Sequence, residues 1–340
     1  MQAETLSRDG SAVGPIVIAY AIEDAALEAF RTGVDGAAEV VVLPAPPDPK
    51  RATLLRSAVA VMTRNTAKDF SKEELGLLDN ARLLQSFSAG VDFMPLDIVP
   101  EHVPFACNAG AFAQPMAEHA VAMSLAALKR LLIEHDAVKN GVFNQYTRNR
   151  SLAGATVGIY GFGGIGIATA RLMRALGARV IAINRRGQTS EALDFIGSMT
   201  DLDWLLAQSD VLLVSAPYTQ ETANSIGARE LQLMKPDAVL VNLARGELID
   251  EAALYAHLCA NPAFTACIDA WWIEPVRHGE FRMDYPFMAL PNVIASPHNS
   301  ASVVRPGSPP HRLAGENCRR VVLGEAPLHV VDRALSPFLS

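Results

Sequence analysis

Three residues in the second half of this 340-residue chain are of the types that carbonyl reduction needs. Arg245 lies in Asn242-Leu-Ala-Arg-Gly-Glu-Leu-Ile-Asp250, Glu274 in Ile268-Asp-Ala-Trp-Trp-Ile-Glu-Pro275, and His298 in Ser296-Pro-His-Asn-Ser300. A guanidinium fork can hold a carboxylate or polarise a carbonyl oxygen. An imidazole can deliver a proton to that oxygen, and a carboxylate beside the ring favours its protonated form. Taken singly, each residue has an ordinary reading: a salt-bridged arginine, a satisfied histidine, a glutamate at a turn before proline. Each, however, follows an apolar run that reads as a strand: Val239–Leu243, Thr265–Ala270 and Val293–Ser296. Open α/β sheets bind ligands beyond the carboxyl ends of their strands, so the three converge on one edge.

The element that must position them is the stretch from Thr156 to Asn184. The apolar run Val157–Tyr160 enters a Gly-x-Gly-x-x-Gly turn at Gly161, Gly163 and Gly166. A helical pattern through Gly164 and Ile165 follows, and a second apolar run, Val180–Ile183, closes a βαβ unit. Gly161 permits the tight turn, Gly163 lets a pyrophosphate approach the backbone, and Gly166 lets helix and strand pack closely. The helix N-terminus supplies N–H donors and a positive dipole end for the phosphates. An NAD-binding unit carries an acid at the end of its second strand, for the ribose 2′-hydroxyl. Here that position is Asn184, followed by Arg185 and Arg186 and then by Gly187, Gln188, Thr189 and Ser190. Missing acid and gained cations both point to a 2′-phosphate, so NADP(H) is the expected cofactor and NAD(H) the alternative.

Around this unit the chain reads as two α/β domains. Apolar runs at Ile16–Ala19, Val40–Leu43, Val59–Met62, Leu83–Phe87 and Phe105–Cys107 alternate with helical stretches such as Asp24–Thr32 and Ser71–Asn80. A long apolar pattern from Gln114 to about His135 predicts one buried helix, which could lend a face to a twofold interface. The nucleotide-binding runs, with Val211–Ser215, make six strands. Past Ser300 a proline-rich passage (Pro306, Pro309, Pro310) precedes a helix over His311–Leu323, expected to return to the first domain. The expected boundaries are 15–109 for a substrate-binding domain, 110–299 for the dinucleotide-binding domain and 300–340 for the return, with a cleft between the domains. The polar loop Val276–Tyr285 is a candidate lip over that cleft. Hydrophobic residues make up 50% of the chain and the net charge is −7, with no basic stripe, which opposes a nucleic-acid partner. No apolar stretch is long enough to span a bilayer and Met1–Gly14 lacks a signal-peptide pattern, so a cytoplasmic protein is expected, with a disordered amino-terminal tail. Cys107, Cys259, Cys267 and Cys318 lack metal-site spacing and read as buried reduced thiols, and no metal is expected.

The order of the Gly-rich turn, the Asn-x-x-Arg-Gly segment, an acid followed by Pro, and a Pro-His pair resembles the D-isomer-specific 2-hydroxyacid dehydrogenase family, over most of the chain. The resemblance implies a Rossmann-type doubly wound sheet plus a flavodoxin-like α/β domain that is discontinuous in sequence. It also implies that Arg245 binds substrate, that Glu274 pairs with His298, and that His298 is the acid/base. Pro217 and Asp269 would lie at the cofactor, and the backbone of Ser88, Ala89 and Gly90 would hold the carboxylate of a small 2-oxo or 2-hydroxy acid. Asn108 and Glu118 match family positions read as structural. The paired Trp271 and Trp272 depart from the family pattern and read as packing under the 276–285 loop. Formate dehydrogenases, which resemble the family, carry Gln where Glu274 stands, which argues against formate. A homodimer is expected. The competing readings are a dinucleotide-sensing corepressor-like interaction protein and an enzyme oxidising an inorganic oxyanion such as phosphite.

Overall fold

Strands that are apolar on both faces must be covered on both sides, and parallel pairing with helical crossovers follows. The computed structural model describes residues 13–303 and 307–333. The chain divides into two compact units, Met1–Ala111 with Val304–Ser340, and Phe112–Val303.

In the first unit, β1 (Ile16–Ile18), β2 (Val40–Val42), β3 (Ala60–Thr63), β4 (Leu84–Ser86) and β5 (Phe105–Ala106) form a parallel sheet in the order β2-β1-β3-β4-β5. This is the flavodoxin-like order. The helix Pro309–Val322 belongs to this unit because it lies against the helix Asp24–Val34 nearly backbone to backbone. Two glycines permit it: a Cβ at Gly33 would run into Arg312 O, and one at Gly315 into Phe30 O.

The second unit holds β6 (Thr156–Tyr160), β7 (Arg179–Ile183), β8 (Phe195–Gly197), β9 (Val211–Val214), β10 (Val239–Asn242), β11 (Thr265–Ile268) and β12 (Val293–Ala295). Their order is β12-β11-β10-β9-β6-β7-β8, so the winding reverses between β6 and β9. That is the Rossmann arrangement with one strand added beyond the sixth. Alternate residues face two cores, one including Tyr160, Ile181, Leu212 and Leu240, the other Val157, Ile159, Val180 and Val241.

Several expectations need correction. The sheet has seven strands, because the three-residue edge strand β8 pairs only with β7 and is too short to show a pattern. The long helix is two, Ala113–Leu128 and Leu131–Lys139, broken where Arg130 takes a left-handed φ of 52°. The first buries Met116, Ala117, Ala120 and Met123, whereas the second buries nothing within its own unit. Only Lys72–Leu75 of Ser71–Asn80 is helical: Ser71 and Glu74 form a capping box, Gly76 follows at the C-cap, and Glu74 is drawn to Arg51 at 2.6 Å. The 276–285 segment is not an open loop, since Pro275–His278 forms a helical turn and Ile273 bridges to Arg282. Cys267 and Cys318 are buried, but Cys107 is half-buried and Cys259 is exposed near the end of the helix Glu251–Ala260. The tail up to residue 12 and Pro306 lie outside the described residues. Among the described residues no helix is long and apolar enough to cross a membrane.

Candidate active site

The turn after β6 has the geometry a dinucleotide needs. Gly161 sits at φ +100°, and a Cβ there would strike Ala216 N. A Cβ at Gly166 would lie 2.6 Å from Gly161 O and 3.1 Å from Ile159 Cγ2, so only glycine lets the helix Gly164–Ala175 start this close to the strand. Gly163, the N-cap, differs: its Cβ direction meets nothing within 4 Å, which leaves the backbone open beside the free N–H groups of Gly164 and Ile165. Bare backbone and a helix N-terminus together fit a pyrophosphate. Pro217 follows β9 across the switch point, its carbonyl accepting from Thr222 Oγ1 at 2.7 Å.

At the end of β7 the Asn184 side chain closes its own turn, accepting from Arg186 N at 2.9 Å and donating to Gln188 O at 2.9 Å. Arg185 and Arg186 are exposed, and among the described residues neither side chain has an ion pair or hydrogen bond.

Beyond β10, β11 and β12 the polar residues do meet. His298, at the left-handed φ of 51°, donates from Nδ1 to both Glu274 oxygens at 2.8 Å. An ionised carboxylate can only accept, so Nδ1 carries the proton and Nε2 is the nitrogen left for a ligand. The Trp271 amide donates to Glu274 Oε1 at 2.7 Å. Burial works against ionisation of Glu274. The His298 hydrogen bond and charge, the Trp271 amide and the Arg245 charge outweigh it and hold the carboxyl below its usual range. Arg245 is set by two local devices. Asn242 accepts from Ala244 N at 3.0 Å and donates to Arg245 O at 2.8 Å. Gly246 lies so close to the Trp271–Trp272 backbone that a Cβ would stand 2.5 Å from Trp271 C. The guanidinium itself donates to Ala244 O at 2.6 Å.

Asp269 is fully buried and fastens the His298 turn from behind. It accepts from Ser296 Oγ at 2.5 Å, Asn299 N at 3.2 Å and Ser300 N at 3.3 Å. Ser300 Oγ is buried with no partner among the described residues. The tryptophans are packing groups. Trp271 is 4% exposed, donates to Ser296 O at 2.9 Å and meets Phe281 edge-on, while Trp272 donates to Ile249 O and stacks on Phe287. Sequence reasoning missed Ser296, Ser300 and His119, whose Nε2 lies 3.0 Å from Ser296 Oγ.

In the first unit the Ser88-Ala-Gly90 turn follows β4. The Ser88 amide is engaged by Ser86 Oγ at 3.0 Å, and the Ser88 carbonyl accepts from Asn108 N. Among the described residues no acceptor faces the Ala89 and Gly90 amides. Ser88 is therefore a support of the turn, not an open donor. Asn108 donates to Phe87 O and Pro310 O, tying β5 to the return helix.

The sequence matches the model of the D-isomer specific 2-hydroxyacid dehydrogenase NAD-binding domain over residues 121–300. The glyoxylate reductase of Thermococcus litoralis is 30% identical over 302 residues, covering 85% of this chain and 88% of that protein. The D-3-phosphoglycerate dehydrogenase of Archaeoglobus fulgidus is 31% identical over 245 residues, 72% of this chain but only 45% of the longer relative. An NADPH-dependent glyoxylate/hydroxypyruvate reductase from Sinorhizobium meliloti, solved with NADP and sulfate, shares the fold with a TM-score of 0.76 at 22% identity, over 95% of this chain and 99% of its own. The chain belongs to the D-isomer specific 2-hydroxyacid dehydrogenase family of oxidoreductases.

Proposed function

We propose that the protein transfers hydride between NADP(H) and a small 2-oxo or 2-hydroxy acid. The observation that carries this reading is the His298–Glu274 pair at 2.8 Å on the same sheet edge as Arg245 and the Gly-rich turn. A bound nicotinamide supplies or accepts the hydride. His298 Nε2 gives its proton to the substrate oxygen in reduction and takes one back in oxidation, while Glu274 holds the ring and offsets its charge. Arg245 binds the carboxylate or carbonyl oxygens of the substrate. Gly161, Gly163, Gly164, Ile165 and Gly166 hold the pyrophosphate, and Pro217 flanks it. The orphan Ser300 hydroxyl and the buried Asp269 behind it favour the end of β11 for the nicotinamide amide. The exposed Arg185–Arg186 pair and the absence of an acid at Asn184 favour a 2′-phosphate.

Glyoxylate is the first substrate to try, given the Thermococcus litoralis relative, followed by hydroxypyruvate and longer 2-oxo acids. A panel of these acids assayed with NADPH and NADH tests the reading. Cofactor binding without turnover of any of them would favour a sensing role instead. A homodimer is part of the proposal, with the contact on Leu131–Lys139 and the segment after it. Leu131, Leu132, Val138, Val142, Phe143 and Tyr146 are exposed there within sixteen residues, a density of apolar surface that a second copy would cover. Sedimentation of the unmodified protein reads the state directly.

A further inference from the structure

His119 stands in the second turn of the helix Ala113–Leu128, and 177 residues separate it from Ser296, its hydrogen-bond partner. The Ser296 hydroxyl has one proton. Asp269 Oδ1, 2.5 Å away, is an acceptor only, so that proton goes to the carboxylate and the hydroxyl must accept from His119 Nε2 at 3.0 Å. The order is thus fixed: His119 donates to Ser296, and Ser296 donates to Asp269. His119 Nε2 is itself 3.9 Å from Asp269 Oδ1. Asp269 in turn accepts the Asn299 and Ser300 amides, which follow His298 directly.

We infer that His119 is a positioning residue of this site, acting through Ser296 and Asp269 to hold the 296–300 turn that carries both His298 and the unpartnered hydroxyl of Ser300. The inference rests on the proposed dinucleotide site. A ring that donates to Ser296 leaves the serine one rotamer, and a serine locked in that rotamer leaves Asp269 one orientation. Without the donor, Ser296 can swing away, and the buried carboxylate loses its shortest bond.

The experiment compares His119→Phe, which keeps a planar ring of similar size but no donor, with His119→Gln, which keeps an N–H donor at similar reach. Calorimetric titration of NADPH and NADH gives affinity without turnover, and steady-state kinetics give kcat and KM separately. His119→Phe should weaken binding of the preferred dinucleotide about tenfold and lower kcat, while His119→Gln should stay within about threefold of the unmodified protein. In a Ser296→Ala background, His119→Phe should change affinity less than twofold, because the group through which it acts is gone. Unchanged affinity in His119→Phe, equal losses in the Phe and Gln variants, or a full further loss in the Ser296→Ala background would each overturn the inference. Failure of the unmodified protein to bind either dinucleotide would instead overturn the reading of the site, and this inference with it.

Discussion

The turn after β12 and the turn after β7 leave the same edge of one parallel sheet, yet they are held in different ways. Around His298, the Glu274 oxygens accept from the ring and from the Trp271 amide, the Asp269 carboxylate holds Ser296, Asn299 and Ser300, and Asp269 and Glu274 are 0% and 7% exposed. Around Arg185 and Arg186 the backbone is fixed by the Asn184 side chain, but the guanidinium groups stand in solvent with no described partner. Chemistry needs a proton donor whose place is set before the substrate arrives, because a misplaced imidazole raises the barrier. Selecting between two cofactors needs only charge within reach of one extra phosphate. Changes at His298 and its Glu274 partner should therefore appear mainly in kcat, and changes at the second turn in the KM of one cofactor.

The strongest way to break this contrast is His298→Gln. Removing a positioned acid/base should lower kcat by a factor on the order of 10² to 10⁴ while cofactor affinity stays near that of the unmodified protein. A loss confined to KM would put His298 outside the chemistry. Arg245→Lys tests the other held group. It keeps the charge but not the fork, so kcat/KM for the best 2-oxo acid should fall by roughly 10- to 100-fold, read by steady-state assay. Wild-type efficiency in that variant would remove Arg245 from substrate recognition.

Glu274→Gln has a smaller effect with two separable readouts. The variant keeps an acceptor for the His298 Nδ1 proton but loses the charge that offsets the ring, so kcat for reduction should fall by less than in His298→Gln, with cofactor affinity unmoved. An unchanged kcat would sink the catalytic pairing. Stability gives the second readout. Glu274 titrates below its ordinary value of 4.5 in the folded protein, so its ionised contacts stabilise the fold above that pH, and the contribution is lost as pH falls through the lower, folded value. The unmodified protein should therefore melt above the variant near neutrality, and the gap should close as pH falls from 4.5 through the lowered, folded value. A constant gap in melting temperature across that range would deny the shift.

The parts of this molecule that were legible in its sequence are those written locally. The Gly161 turn, the apolar runs of six of the seven Rossmann strands, and the Arg, Glu and His after strand ends all lie within short windows, where period and residue type suffice. What stayed hidden depends on distant partners. Nothing near His119 announces Ser296, and nothing near Ser88 shows that its amide is engaged by Ser86 while the Ala89 and Gly90 amides face no acceptor among the described residues. The helix break at Arg130 was masked because Leu131, Leu132 and Ile133 continue the apolar pattern of the buried helix although that face meets no core. The short strand β8 exists through its pairing with Ile181–Ile183 more than through its own three residues.

The open turn can be tested with the gentlest substitution. Arg185→Ala removes an exposed cation that makes no described contact within the protein, so neither the fold nor the His298 turn should register it, and kcat with either cofactor should stay within about twofold. The loss should fall on NADPH, the cofactor with the 2′-phosphate. A charge-assisted bond at an exposed site has a modest net strength, which corresponds to a rise of about five- to twentyfold in the NADPH KM. That rise should shrink as salt is added, since exposed charges are screened over about 8 Å at physiological ionic strength. Arg186→Ala should act in the same direction and less strongly, with NADH kinetics unmoved in both variants. Equal use of the two cofactors by the unmodified protein, or an equal loss for both in Arg185→Ala, would mean that these arginines simply face solvent, and the contrast between a held turn and a selecting turn would fail at its open end.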